Sequence, residues 1–229
     1  MSKCDQCIVR QLNAIGELTK EELLRISGCK SSDIIKKGEV LFNEGDHING
    51  VFCIKDGVCK VTKMSSNGRE QIIKLIKKGD LLGERSLISE EVSNLKATAI
   101  NDMEVCFIPK EEIIRDLKSN TNFTMSILKE LAVSLKEADN VIVDMAQKTV
   151  KQRLAETLLH LNKNHGSDDL EKPLDIQLSR EDIASIIGTA TESAIRLLST
   201  FKKEKLIHLK GKEIYILNPK KLQHIAEGF

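Results

Sequence analysis

Two groups of residues have the types and spacing to do chemistry. Near the C-terminus, Thr191, Glu192, Ser193 and Arg196 fall in the first turns of a stretch with helical period, just after Gly188. An arginine there can donate two hydrogen bonds to the O6/N7 edge of guanine, and a glutamate can accept from a cytosine amino group; both are ways of reading base edges in a major groove. Glu192 and Arg196 also stand four apart, so a helix-surface ion pair worth about 0.3 kcal/mol would explain them equally well on their own. The second group is sulfur: Cys4, Cys7, Cys29, Cys53, Cys59 and Cys106. Six cysteines in 229 residues are few for a disulfide scaffold, which leaves metal binding or packing to explain them. His47, His160, His165, His208 and His224 are scattered, and no Ser/His/Asp group or paired acidic site accompanies them, so no enzyme is expected.

The base-reading group needs a scaffold, and the flanking sequence supplies one. Ser179 followed by Asp182 is a helix-start signal and Gly188 a helix stop. A second helix opens at Thr191, and Ile207–Lys210 and Glu213–Leu217 flank a Gly211-Lys212 turn as a hairpin. Helix, turn, helix and hairpin describe a winged helix-turn-helix, whose second helix enters the groove. From Arg196 to Lys221 eight Lys or Arg face two Glu, a local charge of +6 in a chain whose net charge is +1. A basic face of this kind suits a polyanion, although a solvated helix end would give the same count. Ser179, Arg180, Lys202 and Lys212 are placed to touch phosphates, which positions a domain without specifying sequence. With 3% aromatic residues and no Trp, single-strand stacking platforms are not expected, and double-stranded DNA is the better partner.

The sulfur group lies in a different setting. Residues from about 9 to 28 read as one or two short helices, with Thr19 and Glu21-Glu22 as a start signal. From Ile34 to Ile108 short apolar runs (Glu39–Phe42, Gly50–Ile54, Val58–Val61, Gln71–Ile76, Met103–Ile108) alternate with glycine turns at Gly45, Gly57, Gly68 and Gly79. That regular spacing predicts an antiparallel barrel or sandwich. Cys53 and Cys59 fall inside strands and read as core. After Pro109 the period becomes helical, and Leu128, Leu131, Leu135, Ala138, Ile142 and Met145 follow one another at intervals of 3, 4, 3, 4 and 3. Such a seam is what a helix needs to pair with an identical copy; packing against the protein's own β-domain also needs an apolar stripe, widened here by Ile127 and Val141. Val150, Leu154, Leu158 and Leu161 then open a further domain, followed by a polar loop through Gly166, Ser167, Asp168 and Asp169. The expected organisation is α+β: a segment of short helices over 1–32, a β-barrel sensor over 33–110, a long dimerisation helix over 111–147 and the winged helix over 148–229. No stretch of about 18 apolar residues and no basic-then-apolar leader occurs, so a membrane span or signal peptide is not expected and a cytoplasmic site is.

This order of barrel, long helix and winged helix, with Gly83-Glu84 and Glu192-x-x-x-Arg196, resembles the cyclic-AMP receptor protein/FNR family of transcription regulators over nearly the whole chain. The resemblance implies a jelly-roll cyclic-nucleotide-type domain and a homodimer that reads a near-palindromic site and acts on RNA polymerase as activator or repressor. Cyclic-nucleotide binders of the family follow Gly-Glu with an Arg-Ser pair that clamps the phosphate. Here those positions hold Ser93 and Asn94, so the charge-assisted contact is lost and cyclic-AMP control is not expected, while Gly83 and Glu84 leave room for another small effector. The oxygen-responsive branch instead holds a [4Fe-4S] cluster on N-terminal cysteines and one barrel cysteine. Cys4-Asp5-Gln6-Cys7 and Val105-Cys106-Phe107-Ile108-Pro109 resemble that pattern, but Asn13 stands where the third N-terminal cysteine would be. Four thiolates are the usual requirement, so Cys29 or a non-cysteine ligand would have to complete the site; otherwise Cys106 is a buried strand residue and Cys4 and Cys7 a metal or redox pair. Ile195 stands where that branch has a DNA-contacting serine, and its aliphatic side chain could meet a thymine methyl. A ligand-independent scaffold that merely dimerises is the remaining alternative.

Overall fold

The computed structural model describes residues 4–66, 68–166 and 172–229; the expected loop residues Ser167, Asp168 and Asp169 lie outside them. The chain forms two compact units, one of residues 1–69 and 73–136, the other of residues 70–72 and 137–229. Among the described residues no helix is long and apolar enough to cross a membrane.

In the first unit three 3-10 turns, Cys4–Gln6, Ile8–Leu12 and Ala14–Glu17, lead into α1 (Lys20–Cys29). The helix start read at Thr19 in the sequence is a capping box: Thr19 accepts from the Glu22 N–H, and the Glu22 carboxylate accepts from the Thr19 N–H. Eight strands follow: β1 (Ser31–Ile35), β2 (Val40–Phe42), β3 (Gly50–Asp56), β4 (Cys59–Met64), β5 (Glu70–Ile76), β6 (Leu81–Leu82), β7 (Lys96–Ala99) and β8 (Met103–Pro109). They form two four-stranded sheets, ordered β1-β8-β3-β6 and β2-β7-β4-β5. The architecture is therefore jelly-roll-like, two sheets rather than the closed barrel also expected. Side chains alternate across each strand, as in the buried Val61 and half-buried Lys60 of β4. One apolar cluster, with Ile54, Cys59, Val61, Ala97 and Val105, fills the space between the sheets. A second joins the N-terminal segment to the strands through Cys4, Val9, Ile15, Cys53, Cys106 and Ile108.

The expected single helix over 111–147 is two. α3 (Lys110–Ser119) and α4 (Thr121–Gln147) are separated by Asn120, which is extended at φ −115° and ψ 99°. Its side-chain oxygen accepts from the Phe123 N–H at 3.0 Å, and its amide donates to the Glu17 carbonyl and the Glu22 carboxylate. A side chain that caps the next helix while tying down an earlier one breaks the run without Pro or Gly.

In the second unit α5 (Val150–His165), α6 (Arg180–Ile187) and α7 (Thr191–Lys203) pack on one another, and β9 (Ile207–Lys210) pairs antiparallel with β10 (Glu213–Ile216). A last helix, α8 (Pro219–Ala226), packs on α5. Asn218 caps α8 by accepting from the Lys221 N–H, with Pro219 at its first position.

Candidate nucleic-acid interface and thiol centre

Ser179 accepts from the Asp182 N–H and starts α6. Gly188, at φ +64°, ends it in a left-handed conformation that glycine adopts without a Cβ penalty. The short turn to α7 follows, and Ala194, Leu198 and Phe201 bury its inner face. That spacing leaves Glu192, Ile195 and Arg196 exposed on the opposite side, with Thr191 and Ser193 half-buried at the helix start. Arg196 donates to the Ser193 hydroxyl at 3.2 Å and makes no ion pair with Glu192, so the competing surface salt bridge does not form. The guanidinium and the carboxylate are both exposed.

The expected phosphate contacts divide. Lys202 and Lys212 are exposed, Lys202 reaching the Leu209 carbonyl at 3.5 Å. Ser179 and Arg180 are committed inside the domain. The Ser179 hydroxyl is used in its cap with Asp182, and Arg180 donates to the Gly211 carbonyl at 2.8 Å, holding the hairpin tip against the start of α6. Burial lowers the Arg180 pKa, and its Nη1 is buried without a partner.

On α4 the seam residues also divide. Phe123 and Ile127 are buried and Leu131 packs with them against the core of its own unit, because residues four apart share a helix face. Leu131 is thus partly covered within its own unit. Leu128, Leu135 and Ile142, at seven-residue spacing, are 52%, 65% and 67% exposed. Ala138 is exposed beside them, and Met145 is half-buried, its sulfur 3.0 Å from where a Cβ on Gly188 would stand.

At the Gly83-Glu84 motif, α2 (Glu84–Ser89) starts from a left-handed Gly83. The stem of Glu84 is half-covered, but its Oε2 is buried with no hydrogen-bond partner. Burial pushes the carboxyl pKa up to about 7; its own backbone N–H and Lys74 pull it down, Glu130 and Asp80 push it further up. Ser93 is buried with its hydroxyl bonded to the backbone of Leu95, and Asn94 is exposed, so neither offers what the missing Arg-Ser pair would.

The sulfurs converge more than the sequence suggested. Cys106 on β8 is the register partner of Cys53 on β3, so both side chains stand on the same sheet face. Cys4 is buried in the same cluster and Cys7 packs against it. The Lys30 ammonium, itself buried, donates to the Cys106 sulfur at 3.8 Å and to Cys4. Burial opposes its charge, but the bond to Cys4 and the proximity of Cys4, Cys106 and Cys7 outweigh it and raise its pKa. Cys29 is near Cys4 but does not share the burial of the group. It is exposed at the end of α1, its thiol donating to the Arg25 and Ile26 carbonyls of that helix. Cys59 is buried in the other cluster, and burial raises its pKa to about 12. Among the described residues no three metal-binding side chains converge on a single-ion site. A cluster with one thiolate per iron asks instead for separate sulfurs around a shared volume, and a buried cation among thiols fits the negative charge such a group carries.

A jelly roll of this type and a winged helix-turn-helix in one chain define a DNA-binding transcription regulator with a sensor domain. Residues 34–120 match the family model of the cyclic nucleotide-binding domain, and residues 152–225 that of the Crp-like helix-turn-helix domain. The chain belongs to the cyclic-AMP receptor protein/FNR family of transcription regulators. It is 28% identical over 226 residues to the fumarate and nitrate reduction regulatory protein of Vibrio cholerae, covering 97% of this chain and 90% of that one. It is likewise 28% identical over 216 residues to the anaerobic regulatory protein of Haemophilus influenzae, covering 93% and 83%. FixK2 of Bradyrhizobium japonicum shares the fold with a TM-score of 0.77 at 22% identity, over 85% of this chain and 96% of that one.

Proposed function

We propose that this protein is a homodimeric regulator whose redox or oxygen signal enters through an iron–sulfur group held by buried thiols, and whose α7 helices read a near-palindromic DNA site. The observation behind the sensing half is the meeting of the N-terminal pair Cys4 and Cys7 with Cys106, distant from both in sequence, beside the buried Lys30 ammonium, with Cys4 and Cys106 buried and Cys7 partly so. Bound there, an iron–sulfur group would supply a reversible electron site. The residues would do the rest: the thiolates hold the group, Lys30 offsets their charge, and the surrounding apolar side chains limit access of water. The exposed Glu192, Ile195 and Arg196 face supports base reading, Lys202 and Lys212 support phosphate contact, and Leu128, Leu135, Ala138 and Ile142 support pairing of α4 with its copy. Action on RNA polymerase in the cytoplasm, as activator or repressor, is what the family resemblance implies.

The test is anaerobic purification with iron and sulfide analysis, paired with DNA binding by the Arg196→Ala variant. Iron in stoichiometric amount, lost in Cys4→Ser and Cys106→Ser, is the expected result. Protein that stays iron-free after reconstitution would sink the sensing half and turn attention to a small effector at Glu84, whose buried, unpartnered oxygen favours that second reading. Arg196→Ala should cost about 1–3 kcal/mol at one base pair, and unchanged base preference would refute the reading of α7.

A further inference from the structure

We infer that Cys53 supplies the fourth thiolate of this site, completing Cys4, Cys7 and Cys106, and that the position occupied by Asn13 has given its role to this strand residue. The inference rests on the iron–sulfur reading above and identifies its ligand set. Three observations lead to it. First, Cys53 and Cys106 are direct cross-strand partners, so a group held by one lies beside the other. Second, Cys53 feels Cys106, Cys7 and Cys4 as neighbours, whereas Cys29 feels Cys4 and Cys59 has none of them near it. Third, the Asn13 side chain points at this sulfur: its Nδ2 donates to Cys53 Sγ at 3.5 Å and to the Gly79 carbonyl at 2.8 Å, while its Oδ1 accepts from the Ile15 N–H at 3.0 Å. The space a thiolate at position 13 would fill is therefore next to the one Cys53 already fills. Gly79 permits the approach. It adopts φ +95°, and a Cβ there would stand 2.7 Å from the Leu12 side chain.

Ligation would replace each S–H bond by an S–Fe bond, the four protons leaving to solvent as ferrous and ferric iron and sulfide are taken up with no net change of oxidation state. Without iron, burial keeps Cys53 a neutral thiol, with a pKa raised to about 12 against the pull of the Asn13 amide. The Asn13 amide is then a hydrogen-bond donor to the sulfur, anchored on the Gly79 carbonyl, and holds that side chain in one orientation. Two rivals exist for the fourth place. Cys29 is exposed with its thiol on helix carbonyls. Asp5, between Cys4 and Cys7 in sequence, has a buried Oδ1 without a partner and is the oxygen alternative.

The experiment reconstitutes the full chain anaerobically with ferrous and ferric iron in equal amounts and sulfide, and measures iron and sulfide per chain, the visible absorption of the thiolate-bound group, and the urea midpoint of each apo variant. Wild type and Cys29→Ser, Cys59→Ser and Asp5→Asn should load alike, and Cys53→Ser should lose at least four-fifths of the iron. Because Cys53→Ser could simply loosen the strands, the double variant Asn13→Cys/Cys53→Ser is the decisive one. It should recover most of the iron, since the new sulfur comes within reach of the same volume. Full loading of Cys53→Ser, or a double variant with the wild-type midpoint that stays iron-free, overturns the assignment of Cys53. Loss on Cys29→Ser or Asp5→Asn with retention in Cys53→Ser overturns it in favour of a rival while leaving the sensing reading intact. An iron-free wild type overturns both.

Discussion

Replacing Glu84 by Gln should make the protein more stable above neutral pH and change how its stability depends on pH. The carboxyl has an ordinary value of 4.5 and is pushed to about 7 by burial, with Glu130 and Asp80 adding to the rise and Lys74 opposing it. A raised carboxyl pKa means the native state holds its proton longer than the unfolded chain does. Its contribution is therefore fully present below about pH 4.5 and is lost as pH rises to 7, where the native carboxyl also ionises and the loss stops. At about 1.4 kcal/mol per pH unit the total is roughly 3 kcal/mol, of which about 2 kcal/mol falls between pH 5.5 and 8.5. A glutamine does not titrate, so the stability of Glu84→Gln minus that of wild type should grow by about 2 kcal/mol over that window. Urea unfolding of both apo proteins under reductant, at four or five pH values, measures it directly. A difference that stays flat within about 0.5 kcal/mol would show that Glu84 ionises normally and that its buried oxygen finds water or a cation.

Three further outcomes are expected. Leu135→Glu, at a site 65% exposed in one chain, should convert a dimer to a monomer in sedimentation at micromolar concentration while leaving the helix content unchanged. Arg25→Ala should lower stability by about 3 kcal/mol in urea, because Arg25 binds Glu112 and the fully buried Asp116, whose second oxygen already lacks a partner. Gly188→Ala should cost about 1–2 kcal/mol from its left-handed backbone and lower DNA affinity by moving α7, whereas an equal change at Gly28, which is helical and open, should leave DNA binding unaltered.

Much of this was legible because it is local. The capping boxes at Thr19 and Ser179, the Gly188 stop and the Gly211 turn each follow from a few adjacent residues, and each stands where expected. Elements without a local signal were missed. β6 is two residues long, and β7 reads Lys-Ala-Thr-Ala, with one β-branched residue and no apolar run. The break at Asn120 depends on its reach to Glu17 and Glu22, about a hundred positions away. α8 could have been read from Asn218-Pro219 with Leu222 and Ala226 four apart. The helical period of α4 announced an apolar face, but a period cannot say which of two adjoining stripes packs inward; the pair Ile127 and Leu131 did. Cys53 is the instructive case. Inside an apolar strand it looks like core, and only the β3–β8 register puts it opposite Cys106.

The hydrogen bonds around the thiol segment point to where a signal would go first. The Ala14 N–H donates to the Glu130 carboxylate of α4 at 2.9 Å, one residue beyond the Asn13 that touches Cys53. Asn120, at the break before α4, holds the carbonyl of Glu17 and the carboxylate of Glu22. The segment bearing Cys4 and Cys7 is thus fastened to the beginning and middle of the helix that carries the exposed Leu128, Leu135 and Ile142. Burial raises the Glu130 pKa, opposed by its bond to Ala14, so releasing that bond leaves a half-buried carboxylate to be resolvated or protonated. An α-helix transmits a displacement along its axis better than it absorbs one, since its backbone bonds are local and continuous. Loss of the Ala14–Glu130 bond would therefore act directly on α4, the helix that exposes Leu128, Leu135 and Ile142.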